Sequence, residues 1–129
     1  LGDIDDFKQV NDTYGHACGD SVLKSVAEVF KVSVRSGDVV CRWGGEEILV
    51  MLPKCNKDTA TQIAERIAEG IRKILVISNE GVEVRVTMTF GVAGSDEGRD
   101  IKDIVKRADN RLYYGKGHVK NCVVKKDAH

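Results

Sequence analysis

Two kinds of apolar periodicity alternate along this chain, and their order constrains the fold more than any other feature. Apolar residues recur at helical spacing from Ser21 to a point before Gly37, and again in a long segment after Asp58. Asp58 is expected to cap that second helix, and Asp100 or Asp103 opens a third. Between them, runs that are apolar or alternate with period two indicate strands at 1–4, 39–43, 46–52, 82–90 and 122–124.

The resulting order of elements is β-α-β-β-α-β, followed by a helix and a strand. It predicts an α+β fold of the ferredoxin-like or palm type, in which flanking helices cover one face of a mainly antiparallel central sheet. The 129 residues, 42% hydrophobic and 31% charged, match a single globular domain over 1–129. Gly44-Gly45, between two strand segments, predicts a two-residue type I′ hairpin turn, because that turn needs φ > 0 at both central positions.

The charge balance, the hydropathy and the cysteine spacing exclude some classes of partner and indicate the cellular compartment. Twenty Lys and Arg balance twenty Asp and Glu, whereas a groove that tracks a nucleic-acid backbone has a basic excess, so no nucleic-acid polymer is expected as a partner. No apolar run approaches the roughly 20 residues that cross a bilayer, so no membrane contact by this domain is expected. The cysteines have no C-x-x-C spacing and are expected to be reduced thiols, as in the cytoplasm; they are Cys18, Cys41, Cys55 and Cys122.

Two groups of carboxylates suggest a metal site. Asp3 and Asp5 share one face of the first strand, and Glu46 and Glu47 directly follow the double glycine. If the hairpin packs beside the first strand, Asp3 and Glu46 converge. Clustered carboxylates resist joint ionisation, and a hard cation such as Mg²⁺ relieves that repulsion. The alternative is that these acids are merely solvated at strand ends and turns.

A third feature is the polar segment from Phe7 to His16, which continues to Gly19-Asp20. Asn11 offers a donor and an acceptor, and Asp20 accepts hydrogen bonds, which suits the edge of guanine. The alternative makes Asn11 a turn residue and Asp20 a helix N-cap. No G-x-x-x-x-G-K-[ST] loop is present, so phosphates would be held by metal, lysine and loop amides.

Taken together, these segments resemble the GGDEF family of diguanylate cyclases from Asp3 to about Asn121. The signature in this chain is GGEEI at 44–48, with glutamate in place of the family's usual aspartate. It is accompanied by DIDDFK at 3–8, NDTYGH at 11–16, GD at 19–20, TMTFGVA at 87–93, and Ala108, Asp109, Leu112, Tyr113 and Lys116.

The resemblance implies condensation of two GTP molecules into cyclic di-GMP with release of pyrophosphate. It also implies a Mg²⁺ or Mn²⁺ cofactor on Asp3, the Ile4 carbonyl and Glu46, with Glu47 in support. The implied catalytic residues are Glu46, Glu47 and Lys8. The implied substrate-binding residues are Phe7, Asn11, His16, Asp20, Gly44, Gly45, Lys116 and Lys120.

Two further expectations concern assembly and regulation. Because the product is two-fold symmetric and each site holds one GTP, catalysis is expected to need a homodimer. Arg35 and Asp38 fit the family's R-x-x-D inhibitory motif, which precedes the signature by five residues, and Arg66 matches a second arginine found in some members. Cyclic di-GMP would then be both product and allosteric inhibitor. The alternative is a surface ion pair of little consequence.

The chain also departs from the family pattern. Lys120 stands where the family has arginine, which keeps the charge but loses the bidentate fork. We expect the helix before the first strand, part of that strand and any sensor domain to be missing from this chain. We therefore expect a fragment of a larger cytoplasmic signalling protein, or the cytoplasmic output domain of a membrane-bound sensor. The alternative functions are a catalytically weak domain that binds GTP or cyclic di-GMP, and a cyclase that acts on a single nucleotide.

Overall fold

A computed structural model describes residues 1–127 and has a five-stranded sheet at its centre. The strands are β1 (Gly2–Ile4), β2 (Val39–Arg42), β3 (Glu47–Met51), β6 (Met88–Gly91) and β7 (Val123–Val124), in the order β2-β3-β1-β6-β7. A separate hairpin is formed by β4 (Val76–Ile77) and β5 (Glu83–Val84). Neighbouring strands of the main sheet are antiparallel except β6 and β7, which are parallel. The predicted mainly antiparallel sheet is therefore confirmed.

Helices flank the sheet, as predicted for an α+β fold, but they cover both of its faces, and the prediction of a single covered face is wrong. They are α1 (Phe7–Tyr14), α2 (His16–Ser33), α3 (Lys57–Arg72) and α4 (Ile101–His118), and a 3₁₀ turn covers Ser95–Glu97. Among residues 1–127, no helix is long and apolar enough to span a membrane.

The sheet buries different residues on its two faces because side chains alternate along each strand. Ile4, Met88 and Phe90 belong to the core that includes the apolar faces of α2 and α3, and Phe90 lies with its ring centroid 6.0 Å from that of Phe30. The opposite face of β6 receives α4 at very short range, since a Cβ on Gly91 would lie 1.9 Å from a backbone oxygen of α4. This close approach brings the carboxyl end of α4 to the end of β1.

The predicted type I′ turn at Gly44-Gly45 is wrong. Neither glycine has a positive φ, and the amides of Trp43 and Gly44 both donate to the Glu47 carbonyl, at 2.8 and 3.3 Å. The turn is therefore wider, and the return strand begins at Glu47. The Arg42 guanidinium closes the turn by donating to the carbonyl oxygens of both glycines.

The sequence also misplaced several element boundaries. Asn56, and not Asp58, caps α3, because its side-chain oxygen accepts from the Thr59 amide at 2.8 Å. Asp100 is the residue that caps α4. The strand predicted over 82–90 is two strands, β5 and β6, because the chain exchanges one hydrogen-bonding partner for another between them. The alternation of burial ends at Met88, since Met88, Thr89 and Phe90 are all buried.

An ion-pair network connects α4 to the 3₁₀ turn, and it predicts how the stability of the fold depends on pH. Arg111, with only 3% of its side chain exposed, donates to Glu97 Oε2 at 2.6 Å and to the Val92 carbonyl at 2.7 Å. The hydrogen bond from Arg111 is the largest cause that lowers the pKa of Glu97 from 4.5 to about 2. The folded chain therefore binds this proton more weakly than the unfolded chain does, so the stabilisation is complete above pH 4.5 and is lost as the pH falls towards 2.

We expect Glu97→Gln to flatten the loss of stability on acidification. Denaturant unfolding of the parent and the variant at pH 7, 4 and 3 measures this difference directly. Glu69→Gln is the matched control, because Glu69 is 65% exposed and pairs with Lys73 only at 3.6 Å. Equal slopes for the parent and Glu97→Gln would show that this carboxylate makes no pH-dependent contribution.

Candidate active site

The floor of the candidate site is formed where β1 ends and β3 begins. Asp3 lies opposite Glu47 in the antiparallel ladder, and the Ile4 amide donates to the Glu46 carbonyl at 3.2 Å. Backbone pairing thus places Asp3, Glu46 and Glu47 at neighbouring positions of one sheet edge. They open onto a cleft of about 500 Å³. The cleft is also lined by Phe7, Lys8, Asn11, His16, Asp20, Leu23, Arg42 and Gly45.

The carboxylates repel one another. Burial, followed by the negative charge of Asp3, raises the pKa of Glu46, and the same two causes raise the pKa of Glu47. The charge of Lys116 offsets part of this repulsion at both glutamates, and its Nζ lies 2.7 Å from Asp3 Oδ1. The cleft therefore holds more negative charge than the groups around it neutralise, which favours binding of a cation.

The donor set suits a magnesium ion that takes few protein ligands. Within the described part of the chain, no group of three or more His, Cys, Asp or Glu side chains is arranged to hold a metal ion. The predicted set of Asp3, Glu46 and Glu47 with the Ile4 carbonyl is thus not assembled as a three-carboxylate cage. Mg²⁺ requires only hard oxygen ligands, and one or two carboxylates are enough when phosphates and waters complete its shell. Asp3, Glu46 and the Ile4 carbonyl fit that requirement.

The opposite end of the cleft lies between α1 and α2. Asn11 is on α1, and His16 and Asp20 are on α2, so the alternative in which Asn11 is a turn residue and Asp20 an N-cap is wrong. Gly19 lets the two helices bring their polar groups together, because a Cβ there would lie 1.8 Å from Asn11 Oδ1. An amide and a carboxylate consequently face the same cleft.

The beginning of α1 borders the cleft, which Phe7 and Lys8 line. Asp6 precedes the helix with φ 55°, in the left-handed region, and makes no side-chain hydrogen bond to the helix amides. The first amides of a helix have no partner within the helix and attract anions. Phe7, the first residue of α1, is buried beside them, and Lys8 lines the cleft one residue further on.

Lys116 and Lys120 do not line the cleft, and each ammonium group contacts an aspartate of the segment 3–6. Lys116 Nζ contacts Asp3 at 2.7 Å and Asp5 at 2.8 Å. Lys120 Nζ contacts Asp6 Oδ1 at 2.7 Å. Both ammonium groups therefore stand beside the carboxylate end of the site.

The candidate inhibitory residues form a separate cluster at the end of α2. Arg35 donates to Asp38 Oδ1 at 3.2 Å and to the Pro53 carbonyl at 3.1 Å. Arg66 reaches the same region from α3 by donating to the Ser33 carbonyl. The predicted pair and the second arginine are thus close to one another and separate from the cleft.

Arg42 was not predicted as part of the site, and Asp5 was grouped with Asp3 without any indication that it is buried. Arg42 lines the cleft and braces the turn that carries Glu46, and its position two residues before the double glycine is a usable signal. Asp5 is buried beneath Asp3, where its carboxylate accepts hydrogen bonds from distant parts of the chain. Nothing in the local sequence of Asp5 identifies those partners.

The fold and the cleft define an α+β domain with a mainly antiparallel sheet and a cleft rich in carboxylates. The family model described as "Diguanylate cyclase, GGDEF domain" matches residues 1–122, and the chain belongs to this family. The resemblance drawn from the sequence is thereby confirmed.

The chain is similar to several named diguanylate cyclases. It is 41% identical over 122 residues to Diguanylate cyclase A of Treponema denticola, covering 94% of this chain and 33% of that protein. It is 40% identical over 124 residues to Diguanylate cyclase DgcM of Escherichia coli K12, covering 96% of this chain and 29% of the relative. The chain therefore spans about a third of the length of these curated relatives.

Solved structures agree with this assignment. The diguanylate cyclase SiaD of Pseudomonas aeruginosa, in complex with its activator SiaC, matches with a TM-score of 0.88 at 35% identity, over 95% of this chain and 47% of that one. The GGDEF domain of DgcB from Caulobacter crescentus, in complex with c-di-GMP, matches with a TM-score of 0.89 at 29% identity, over 95% and 73% of the two chains.

Proposed function

We propose that this domain is a diguanylate cyclase that condenses two GTP molecules into cyclic di-GMP. Each 3′-hydroxyl attacks the α-phosphorus of the other GTP, so two P–O bonds form, two anhydride bonds break and two pyrophosphates leave. The observation that carries the proposal is the single cleft with Asp3, Glu46 and Glu47 at one end and Asn11 and Asp20 at the other. This arrangement suits a guanine nucleotide whose phosphates extend towards the acids.

The helical end of the cleft provides groups for the base. Asp20 can accept from the N1–H and N2–H₂ groups of guanine, and the Asn11 amide can donate to an acceptor such as O6. Adenine presents an acceptor at N1 and a donor at N6, so it would oppose these groups. His16 stands close to where the nucleoside would lie.

The sheet end provides groups for the phosphates and for proton transfer. The amides at the start of α1, with Lys8, Lys116 and Lys120, bring positive charge to the triphosphate. Because Gly44 and Gly45 have no side chains, a ligand can approach the backbone of the turn closely. Glu46 Oε is a suitable acceptor for the proton of the attacking hydroxyl, because burial and Asp3 raise the pKa of its carboxyl group.

A divalent ion is the cofactor that we infer, Mg²⁺ or Mn²⁺, with Asp3, Glu46 and the Ile4 carbonyl as ligands and Glu47 in support. When bound, such an ion neutralises phosphate charge and makes the attacking hydroxyl more acidic. The residues around it fix the position of the α-phosphate, exclude the wrong base and stabilise the leaving pyrophosphate.

Two copies must face each other for the reaction to occur. One cleft of about 500 Å³ holds one GTP and supplies one set of groups, whereas the product is two-fold symmetric. We infer a homodimer with isologous contact, in which each copy presents the hydroxyl of its nucleotide to the other. The length of the relatives supports a role as the output domain of a larger signalling protein, in the cytoplasm, where GTP is available.

A second candidate is a domain that binds GTP or cyclic di-GMP without turnover. Lys120 in place of arginine favours it, because lysine offers no bidentate fork to a phosphate. Incubation of the chain with GTP and Mg²⁺, followed by mass analysis, distinguishes the candidates. Cyclic di-GMP supports the first, bound but unchanged GTP supports the second, and cyclic GMP would contradict both.

Gly19 gives a test of base recognition that leaves the polar groups of the cleft in place. Since a methyl group at Gly19 would collide with Asn11 Oδ1, we expect Gly19→Ala to turn the amide away and raise KM for GTP about tenfold, the cost of one or two hydrogen bonds. Steady-state kinetics measures this change. Gly117→Ala on α4 is the matched control, because a Cβ there meets nothing within 4 Å. An unchanged KM in a folded Gly19→Ala protein would remove Asn11 from base recognition.

We also propose that cyclic di-GMP inhibits the domain by binding at Arg35, Asp38 and Arg66. The Arg35 guanidinium is held by Asp38 and the Pro53 carbonyl, so it is oriented before a ligand arrives. An oriented guanidinium beside Arg66 suits the guanine edge or phosphates of cyclic di-GMP. We expect Arg35→Ala to raise the plateau of product formation several-fold while initial rates stay close to the parent's. If the progress curves coincide, and added cyclic di-GMP inhibits both proteins equally, the cluster has no regulatory role.

A further inference from the structure

Asp5 is the buried acid that the proposed mechanism leaves without a role. Its side chain is only 3% exposed, and it lies just past β1, two residues after Asp3. A buried carboxylate is stable only when its lone pairs are satisfied, and it then fixes whatever satisfies them. The identity of its partners therefore indicates what Asp5 does.

The carboxylate accepts four hydrogen bonds, two at each oxygen. Oδ1 accepts from Thr89 Oγ1 at 2.7 Å and Lys116 Nζ at 2.8 Å, and Oδ2 accepts from Thr87 Oγ1 at 2.6 Å and the Asn121 amide at 2.9 Å. Thr89 belongs to β6 and Thr87 directly precedes it, so the two threonines attach the carboxylate to this part of the sheet. The other two donors belong to the end of α4 and to the turn that follows it.

Each of those two donors belongs to, or directly follows, a lysine that binds phosphate in the proposed function. Lys116 is held directly. Asn121 follows Lys120, and both residues have left-handed backbones, with φ 46° and 57° respectively. Such a pair persists only where the surroundings fix it, and the hydrogen bond from the Asn121 amide to Asp5 does so.

Lys116 also has two carboxylate partners with different surroundings. Its ammonium lies 2.7 Å from Asp3, which opens onto the cleft, and 2.8 Å from the buried Asp5. If Asp3 binds a divalent ion, that ion and the ammonium compete for the same carboxylate. Asp5 does not face the cleft, so its hold on Lys116 is unaffected by that competition.

We propose that Asp5 is a positioning residue that holds Lys116 and the Lys120 turn in place for the triphosphate while Asp3 is free to bind the metal. This inference rests on the proposed function for the identity of the ligand. It predicts that loss of the Asp5 charge weakens binding of the phosphates and leaves binding of the base intact.

The test compares two nucleotides that share a base. Affinities for GMP and for a GTP analogue with a methylene between the α- and β-phosphorus atoms are measured by calorimetry with Mg²⁺ present. In Asp5→Asn we expect the analogue to bind about tenfold more weakly, from the loss of charge-assisted hydrogen bonds, and GMP to bind within about twofold of the parent. In assays of turnover, the loss should appear in KM more than in kcat.

Thr87→Val is the matched control, because it removes one buried hydrogen bond to Asp5 and leaves the carboxylate in place. We expect it to lower the melting temperature while the ratio of analogue to GMP affinity stays at the parent value. Equal losses for both nucleotides in Asp5→Asn, or no loss in a folded variant, would overturn the proposal. If Asp5→Asn does not fold, Lys116→Met tests the same contact from the other side, and unchanged analogue affinity there would overturn it.

The outcomes separate this inference from the function on which it rests. A parent that makes no cyclic di-GMP, with a selective loss of analogue binding in Asp5→Asn, removes the cyclase proposal and supports the positioning role. An active parent whose Asp5→Asn variant has unchanged nucleotide affinities removes the positioning role alone.

Discussion

Glu46→Gln is expected to lower the rate of cyclic di-GMP formation by about a hundred- to a thousandfold, the loss that follows removal of one group stabilising charge in a transition state. The glutamine has the same size, and Glu46 is attached to the sheet through its carbonyl, which accepts from the Ile4 amide at 3.2 Å. The fold is therefore expected to survive. The substitution removes a proposed metal ligand and the acceptor of the hydroxyl proton together.

The control for this prediction is the same substitution away from the cleft. Glu28 is exposed on α2, and Glu28→Gln makes the same change of charge. Initial rates at saturating GTP and a series of Mg²⁺ concentrations should separate the two variants by at least about a hundredfold. A Glu46→Gln protein that retains a tenth or more of the parent rate would contradict the role given to this carboxylate.

Dilution of the protein is expected to lower the rate of cyclic di-GMP formation per copy. Because two copies must meet, the rate per copy follows the fraction of dimer, and below the dissociation constant a tenfold dilution lowers that rate about tenfold by mass action. Initial rates across a dilution series, with the mass of the species followed in parallel by light scattering, measure this dependence.

A tandem fusion of two copies provides the control for the dilution experiment. A flexible linker gives the second copy an effective concentration on the order of millimolar, so the rate per fusion is expected to stay constant on dilution. A rate per copy that stays constant in the unlinked chain, at concentrations where it is monomeric, would exclude the two-copy mechanism.

The candidate site was predictable from the sequence where its residues belong to continuous segments. Asp3 and Glu46 were expected to converge once a hairpin followed the double glycine, and the pairing of Asp3 with Glu47 agrees with that expectation. Asn11 and Asp20 were chosen for their hydrogen-bonding groups, and both line the cleft. These predictions depended on the alternation of apolar and polar residues within a segment and on the hydrogen-bonding groups of its side chains, and both can be read from one sequence.

Other features were beyond such local reasoning. Helix α1 has only two buried residues, Phe7 and Val10, so its apolar periodicity is too short to indicate a helix. The turn at Gly44 depends on Arg42, whose guanidinium stabilises a wider loop than two glycines alone predict. Asp5 receives its hydrogen bonds from residues 82 to 116 positions away, and only the folded sheet brings them together.

The central claim is that Asp3 and Glu46 hold one divalent ion against a nucleotide triphosphate. Crystals of the chain with Mn²⁺ and the methylene analogue of GTP, measured at a wavelength where manganese scatters anomalously, test it most directly. We expect an anomalous peak about 2.1 Å from an oxygen of each carboxylate and in contact with the phosphates. A peak that touches the phosphates but neither side chain, or separate ions on the two acids, would contradict it.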